Sequence, residues 1–409
     1  MRQDIIQLIA NNILEVRDMR RLGTQARGIR TPIIQEGDNL EEIVVSSLLD
    51  SARQGGFSFQ DRDVVGITES VVARAQGNYI TIDDIAAEIN DNFQKEIGVV
   101  FPILSRNRFA MILRGIARSG CKIYLQLSYP RDEVGNPVLD PEKMREAGIK
   151  PYEDLITREK YQEIFPDFKH PYTGINYLDL YQEIGGGNLE VFLANNPEKI
   201  LDYTGDVLVA DIHSRHTTRS ILQQAGARKL LALDELCTRD KGAGYNPDYG
   251  LLGSNKATEE KLKLFPRQGQ ELVERIQTRL KEETGRSIEV MIYGDGAYKD
   301  PRAQIWELAD PVVSPAYTSG LDGTPNEIKL KYLADNKLKD LQGEELLEAA
   351  REEIAGKDND LVGKMEAQGT TPRQLTDLLG SLCDLVSGSG DKGTPVVLIQ
   401  GYFDSLADK

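Results

Sequence analysis

The sequence predicts an α/β fold of mixed α+β character, and three stretches carry that prediction. Val64-Val65-Gly66-Ile67 is a continuous apolar run of the kind that fills a buried strand. Val207 to Ile212, the Thr217–Ala225 segment and Leu230 to Leu233 read as one strand–helix–strand unit. Gln268 to Glu283 places Leu272, Val273, Ile276 and Leu280 on one helical face, Gly285 stops it, and the alternating Ile288, Val290, Ile292 follow as a strand.

The elements follow in order. Ile5, Ile6, Ile9, Ile13 and Val16 form an apolar stripe at helical spacing across residues 3–22. Gly28 to Gln35 is expected as a short strand through Ile29, Thr31, Ile33 and Ile34. Glu36-Gly37-Asp38-Asn39 then breaks the chain and caps a helix through Leu40, Ile43, Val44 and Leu48, ended by Gly55-Gly56. The strand at Val64–Ile67 feeds Thr68-Glu69-Ser70 and a second helix. Residues 83–97 and 105–119 are expected as helices, and Cys121–Ser128 as a strand. From Pro130 to Gly205 the texture changes to Pro, Tyr, Asp and Gly with short helical pieces at 141–147, 157–164 and 177–183. Gly185-Gly186-Gly187-Asn188 lacks the following Lys-Ser/Thr of a phosphate loop and reads as a turn. Helices at 326–334, 343–356 and 371–386 and a strand at Val396–Ile399 complete the chain. The expected division is 1–129 and 241–409 as two parts of one domain, with 130–240 as an inserted subdomain acting as a lid or partner surface.

Composition narrows the function. Hydrophobic residues make up 40% and charged residues 28%, ordinary for a globular protein. A net charge of −16 argues against nucleic acid as a partner but leaves room for a small anion at a local basic cluster. The apolar runs fall short of a membrane span. Cys121, Cys237 and Cys383 are too far apart for a disulfide framework or zinc motif, so a reducing cytoplasm is expected.

Four stretches offer chemistry. Asp295 stands between two glycines past the Ile288–Ile292 strand, with Lys299, Asp300 and Arg302 close behind. A flanked carboxylate with nearby cations suits a metal–phosphate site, and equally a solvated turn. Asp211, His213, Arg215 and His216 at the end of the 207–212 strand could bind an anion or contribute to a metal site, or serve structure alone. Gly242 to Asn255 is a loop of turn residues, and Ser387 to Thr394 is a Gly/Ser-rich loop with one lysine that can cradle phosphate.

Four stretches together resemble the coenzyme F420-0:L-glutamate ligase (gamma-glutamyl ligase) family. They are Thr31-Pro32-Ile33-Ile34 with Gly37-Asp38, Asp63-Val64-Val65 and Glu69 to Gly77; Gly250 to Asn255 with Phe265-Pro266; Thr284-Gly285-Arg286 through Asp295; and Gly388 to Pro395 with its strand and Gly401. The resemblance implies a family ligase fold with mixed sheets, and the central stretch between the matching motifs, for which the family offers no counterpart, reads as an inserted subdomain. It also implies a nucleotide-dependent acid–amino-acid ligase, commonly a homodimer, using GTP or ATP and a divalent metal such as magnesium or manganese. It would join L-glutamate to a small-molecule carboxylate acceptor through an acyl phosphate. Carried over by position, Pro32, Ile33, Ile34, Glu69, Ser70, Arg74 and Asn255 bind nucleotide, together with Ser387, Gly388, Ser389, Gly390, Asp391, Lys392, Gly393 and Thr394. Asp295 binds metal and, with Lys299 and Arg302, serves catalysis; Asp248 and Asp391 are the acids available to join it. Leu252, Gly296 and Ser389 replace the family's metal-site residues, and Arg74 replaces its nucleotide-binding lysine. A nucleotide- or metabolite-binding protein without ligase activity, folate-type polyglutamylation, and a site built on Asp211, His213, Arg215 and His216 are the alternatives.

Overall fold

The computed structural model describes residues 22–132, 135–171, 173–212, 214–294, 297–299, 306–308, 313–368, 374–387 and 391–408, with only the backbone path for 297–299, 306–308 and 313. The strands in the first half are β1 (Gln25–Ile29), β2 (Val64–Thr68), β3 (Tyr79–Thr81), β4 (Glu96–Val100), β5 (Lys122–Leu127), β6 (Ile156–Thr157), β7 (Leu189–Leu193) and β8 (Asp206–Val209). The remainder are β9 (Lys229–Ala232), β10 (Ser254–Lys256), β11 (Lys261–Leu264), β12 (Glu289–Gly294), β13 (Ala297–Lys299), β14 (Trp306–Leu308), β15 (Val313–Tyr317) and β16 (Val396–Gln400). The architecture is mixed α/β, as the sequence predicts. Among the described residues no helix is long and apolar enough to cross a membrane.

One sheet has the order β1-β16-β2-β12-β15. Its centre is β2, antiparallel to β16 and parallel to β12. Val64, Val65 and Ile67 are fully buried there, which explains the unbroken apolar run: both faces of this strand are covered. The helices Leu40–Gly55 and Gly269–Thr284 pack on one face and Leu375–Ser387 on the other. Each fully buried Val, Ile or Leu side chain stabilises by about 1.5–3 kcal/mol, so this two-sided burial anchors the sheet. Asn39 caps the first helix by accepting from the Glu42 N–H, and left-handed Gly56 ends it.

The second sheet has the order β6-β7-β5-β4-β8-β9. All its strands except the edge strand β6 run parallel. Numbered along the chain, the five parallel strands stand 3-2-1-4-5, a doubly wound arrangement whose order reverses between β4 and β8. The helices Phe109–Arg118 and Tyr177–Gly185 cover one face, and the helix Arg215–Gln224 with the Pro197–Asp202 turn covers the other. β10, β11 and β3 form a small third sheet between the two.

Several expectations shift. β1 spans Gln25–Ile29 and so shares only Gly28 and Ile29 with the strand expected over Gly28 to Gln35. Its partner β16 starts at Val396, and Pro395 and Pro32 have no N–H with which to extend the ladder. The 83–97 segment is helix only over Ile82–Asn92; Phe93 adopts an extended backbone, and Ile97 lies in β4. The helix expected from residue 105 starts at Phe109, because the Ser105 hydroxyl accepts from the Arg108 and Phe109 N–H groups and holds a turn. The 207–212 strand stops at Val209. The helix expected over 326–334 spans Leu330–Asp335, and that over 371–386 spans Leu375–Ser387. Segment 130–240 does not build a sheet of its own: β6 to β9 extend the sheet begun by β4 and β5, so the sheet crosses the expected boundary at residue 130. The expected N-terminal helix lies almost wholly outside the described residues.

Candidate functional site

The first sheet and the small third sheet meet at Glu69. It opens the helix Glu69–Ala75 immediately after β2, so the strand delivers it to the carboxyl edge of the first sheet. Its carboxylate Oε1 accepts from Lys263 Nζ at 3.2 Å, and both side chains are about nine-tenths or more buried. Lys263 comes from β11, where it pairs in register with Asn255 of β10 on one side and Tyr79 of β3 on the other. On the opposite side Glu69 packs against Gly294, the last residue of β12. A Cβ there would stand 2.4 Å from Glu69 Cγ, a separation no side chain tolerates. Asn255, Lys263, Glu69 and Gly294 therefore form one continuous line that ends at the residue before Asp295.

The loop between β9 and β10 is pinned by two buried asparagines. Asn78 Nδ2 donates to the carbonyls of Tyr245 and Phe265, at 3.0 and 2.7 Å, and its Oδ1 accepts from the Tyr245 N–H. Asn246 Nδ2 donates to the carbonyls of Phe265 and Pro266, while its Oδ1 accepts from the Asp248 and Tyr249 N–H groups. Gln76 adds a reciprocal pair with the backbone of Arg267. Gly253 is required because a Cβ would lie 2.5 Å from the Phe265 ring. These bonds fix Asp248 at the surface and carry the chain toward Asn255. Burial first, then the Asp248 carboxylate, pushes the Tyr249 hydroxyl above its ordinary range, while Arg215 pulls the other way.

The first and last matching stretches also converge. The Thr31 N–H donates to the Gly393 carbonyl at 3.3 Å, Arg30 Nε to the Lys392 carbonyl at 3.3 Å, and the Thr68 N–H to the Pro395 carbonyl at 3.0 Å. Thr394 Oγ1 donates to the Ser387 carbonyl at 2.7 Å and closes the loop between them.

Among the expected nucleotide-binding residues, Pro32, Ser70, Arg74, Asp391, Lys392 and Gly393 are exposed, and Ile33 is 84% exposed. Asn255 and Thr394 are half-buried, and Ser387 and Glu69 are buried. Ile34 differs, because its side chain is committed to the core beside the helix Leu40–Gly55. Asp295, Gly296, Asp300, Arg302, Gly388, Ser389 and Gly390 lie outside the described residues, as do His213 and the side chain of Lys299. Among the described residues no three His, Cys, Asp or Glu side chains gather as a metal cluster. At the end of β8, Asp211 accepts from Thr218 Oγ1 at 2.6 Å, and Arg215 donates to Asp234 at 2.7 Å and to the Ile212 carbonyl. His216 is exposed on the helix that follows.

Sequence reasoning missed Lys263, Asn78, Asn246 and Gln76. Asn78 directly follows the matched Gly77, and Asn246 precedes a proline within the Gly-rich loop, so both carried a local turn signal. Lys263 carried none, since only the strand pairing brings it to Glu69.

The model of the family described as F420-0:Gamma-glutamyl ligase matches residues 28–401. The chain belongs to that family. The match reaches from β1 to the end of β16 and so spans both larger sheets, the doubly wound sheet included. The family points to a glutamate ligase. No curated protein sequence matches the chain closely enough to add a relative.

Proposed function

We propose that this family member is a nucleotide-dependent amide ligase that adds L-glutamate, through a gamma-linkage, to a small-molecule carboxylate via an acyl phosphate. The observation that supports this reading most is the convergence of the matching stretches. Glu69 and Lys263 pair behind Gly294, Asn255 stands in register with Lys263, and residues 392–395 lie against Thr31 and Thr68. Phosphoryl transfer asks for alignment and charge neutralisation more than for a nucleophilic side chain. Exposed Arg74 and Lys392 offer cations for phosphate oxygens, and the backbone around 391–394 offers N–H donors.

The exposed carboxylates of Asp248 and Asp391 are hard oxygen donors that fit a divalent cation, and with Asp295 they would hold it. Magnesium or manganese, when bound, neutralises phosphate charge. In the chemistry proposed, an acceptor carboxylate oxygen forms a bond to the terminal phosphorus as the bond to nucleoside diphosphate breaks. The glutamate amine then forms the amide bond as inorganic phosphate leaves, and the amine proton passes to solvent or base. The protein's share is to orient: the Asn78 and Asn246 bonds hold the 245–255 loop, and the Glu69–Lys263 pair holds the floor beneath Gly294. A homodimer in a reducing cytoplasm is part of the same proposal, consistent with three free, buried cysteines.

A second reading, a nucleotide- or metabolite-binding protein without ligase activity, is favoured by Leu252, an apolar residue where the family places a metal-binding acid. Incubation with GTP or ATP, Mn²⁺ or Mg²⁺, and L-glutamate against a panel of carboxylic acids separates the two. The ligase reading expects nucleoside diphosphate and a product heavier by one glutamyl unit. Nucleotide binding without cleavage for every acceptor supports the second reading.

A further inference from the structure

Lys263 stands where two surfaces of the fold face each other. Along β11 the side chains alternate. Leu262 and Leu264 pack into the core of the second sheet, while Lys261 and Lys263 take the other face. Asn255 of β10 and Tyr79 of β3 stand directly opposite Lys263 on its two neighbouring strands, so the three side chains share that face. Across from them is the carboxyl end of the first sheet, with Glu69 and Gly294. Lys261 is exposed, whereas Lys263 is only 8% exposed.

An ammonium carries three N–H donors and no acceptor. One donor of Lys263 reaches Glu69 Oε1 at 3.2 Å, and among the described residues the ammonium has no other hydrogen-bond partner. A joint between two sheets does not need such a pair, because well-packed apolar side chains of similar volume are often as stable or more so. A cation with spare donors in a low-dielectric setting does suit an oxyanion, which it attracts more strongly there than at the surface. Arg74 and Lys392, the other cations of the proposed site, are exposed. Lys263 also lies between Asn255 and Gly294, the residue before Asp295. On the ligase reading those two ends belong to nucleotide and metal, and the terminal phosphates of a metal-bound triphosphate lie between them.

We propose that Lys263 is a phosphate-binding residue: Glu69 holds its ammonium in place, and the remaining N–H groups donate to an oxygen of the terminal phosphate of a bound nucleoside triphosphate. The nucleotide in this assignment rests on the ligase reading; the buried cation and its spare donors do not. The Glu69–Lys263 pair then has a second task besides joining the sheets, since it holds a positive charge ready where the triphosphate ends.

Calorimetry on the full chain tests this, with GTP and ATP in Mg²⁺ as probes and GMP and AMP as counterparts that lack the terminal phosphate. Glu69→Gln/Lys263→Met removes the ammonium without leaving a lone buried charge. It is expected to weaken triphosphate binding about ten- to a hundredfold, the effect of lost hydrogen bonds between charged groups, and monophosphate binding by about twofold at most. Glu69→Gln keeps the ammonium and removes a negative charge beside it, so it is expected to bind triphosphate at least as tightly as the parent. Melting curves and circular dichroism report which variants fold, and Glu69→Gln/Lys263→Gln replaces the first double variant if that one does not. Unchanged triphosphate binding in a folded double variant, equal weakening for triphosphate and monophosphate, or equal weakening in Glu69→Gln and the double variant overturns the assignment of Lys263 and leaves the pair as a joint alone. A parent protein that binds neither triphosphate removes the ligase reading and this assignment with it. One that binds triphosphate through Lys263 yet never cleaves it with any acceptor leaves Lys263 standing and removes the ligase reading.

Discussion

Glu69 and Lys263 lie 194 residues apart in sequence and meet as a buried ion pair, Nζ to Oε1, at 3.2 Å. The pair ties the first sheet to the small sheet that carries Asn255. Removing the Glu69 carboxylate leaves the Lys263 ammonium buried without its ion-pair partner, which costs about 3–5 kcal/mol. Glu69→Gln is expected to destabilise the protein by that amount in urea unfolding. Glu69→Gln/Lys263→Met is expected to recover a substantial part, because no lone charge remains. Equal losses in the single and double variants would show that the pair contributes packing alone.

Gly294 is the second contact of Glu69. Gly294→Ala puts a methyl 2.4 Å from Glu69 Cγ, so Glu69 or β12 must move. Such overpacking costs about 1–3 kcal/mol. The melting temperature should fall, and any ligase turnover should fall further than stability alone explains, since the strand end that leads to Asp295 shifts. Thermal melting and turnover measured on the same preparation check both statements.

The turn at Asp248 takes its side-chain hydrogen bonds from Asn246. Asn246→Ala removes two donated and two accepted hydrogen bonds within a buried setting. Each backbone group left unpaired costs about 1–3 kcal/mol. Amide hydrogen exchange should accelerate at Asp248 and Tyr249 in particular. Unchanged protection there would mean that the loop is held by Asn78 and by packing.

Asp63 gives a pH dependence of known sign. Burial raises its pKa above the ordinary carboxylate value, outweighing the Gln60 N–H and Gln400 amide that both donate to Oδ2. Its Oδ1 has no partner among the described residues. The raised value means that the folded state favours the protonated acid. Its stabilisation is complete below the unfolded value of 3.8 and is lost as pH rises through the folded value. Asp63→Asn keeps an acceptor for both donors and carries no charge. The stability difference between variant and parent should therefore grow in favour of the variant from pH ~4 upward, read by urea unfolding at each pH. A constant difference across that range would contradict the assignment.

The sequence made the centre of the first sheet legible, because β2 is fully apolar over Val64–Ile67 and β12 alternates over Ile288–Ile292, whereas the edge strand Val313–Tyr317 was not expected and β1 lies mostly before its expected place. The Asn39 cap and the Gly56 and Gly285 stops were equally local. The second sheet was less so. Ile97, Val99 and Val100 continue the apolar pattern of the preceding helix, and only pairing with β5 and β8 makes them a strand. β7 sits in a Gly-rich stretch whose strand character comes from its neighbours. The candidate site divides the same way. Glu69 and the 387–394 loop could be singled out from local residues, whereas Lys263 could not, because its role exists only across β11. Ile34 was placed at the nucleotide by position, and its side chain belongs to the core.

The most direct test of the central claim is coupled product analysis in one reaction. Nucleoside diphosphate release and glutamate incorporation are counted by mass spectrometry with GTP or ATP, divalent metal, L-glutamate and an acceptor panel. A one-to-one ratio is predicted for at least one small carboxylic acid, with neither product formed when the acceptor is left out. Nucleotide that binds but stays intact with every acceptor, or diphosphate released without any glutamyl product, would contradict the account.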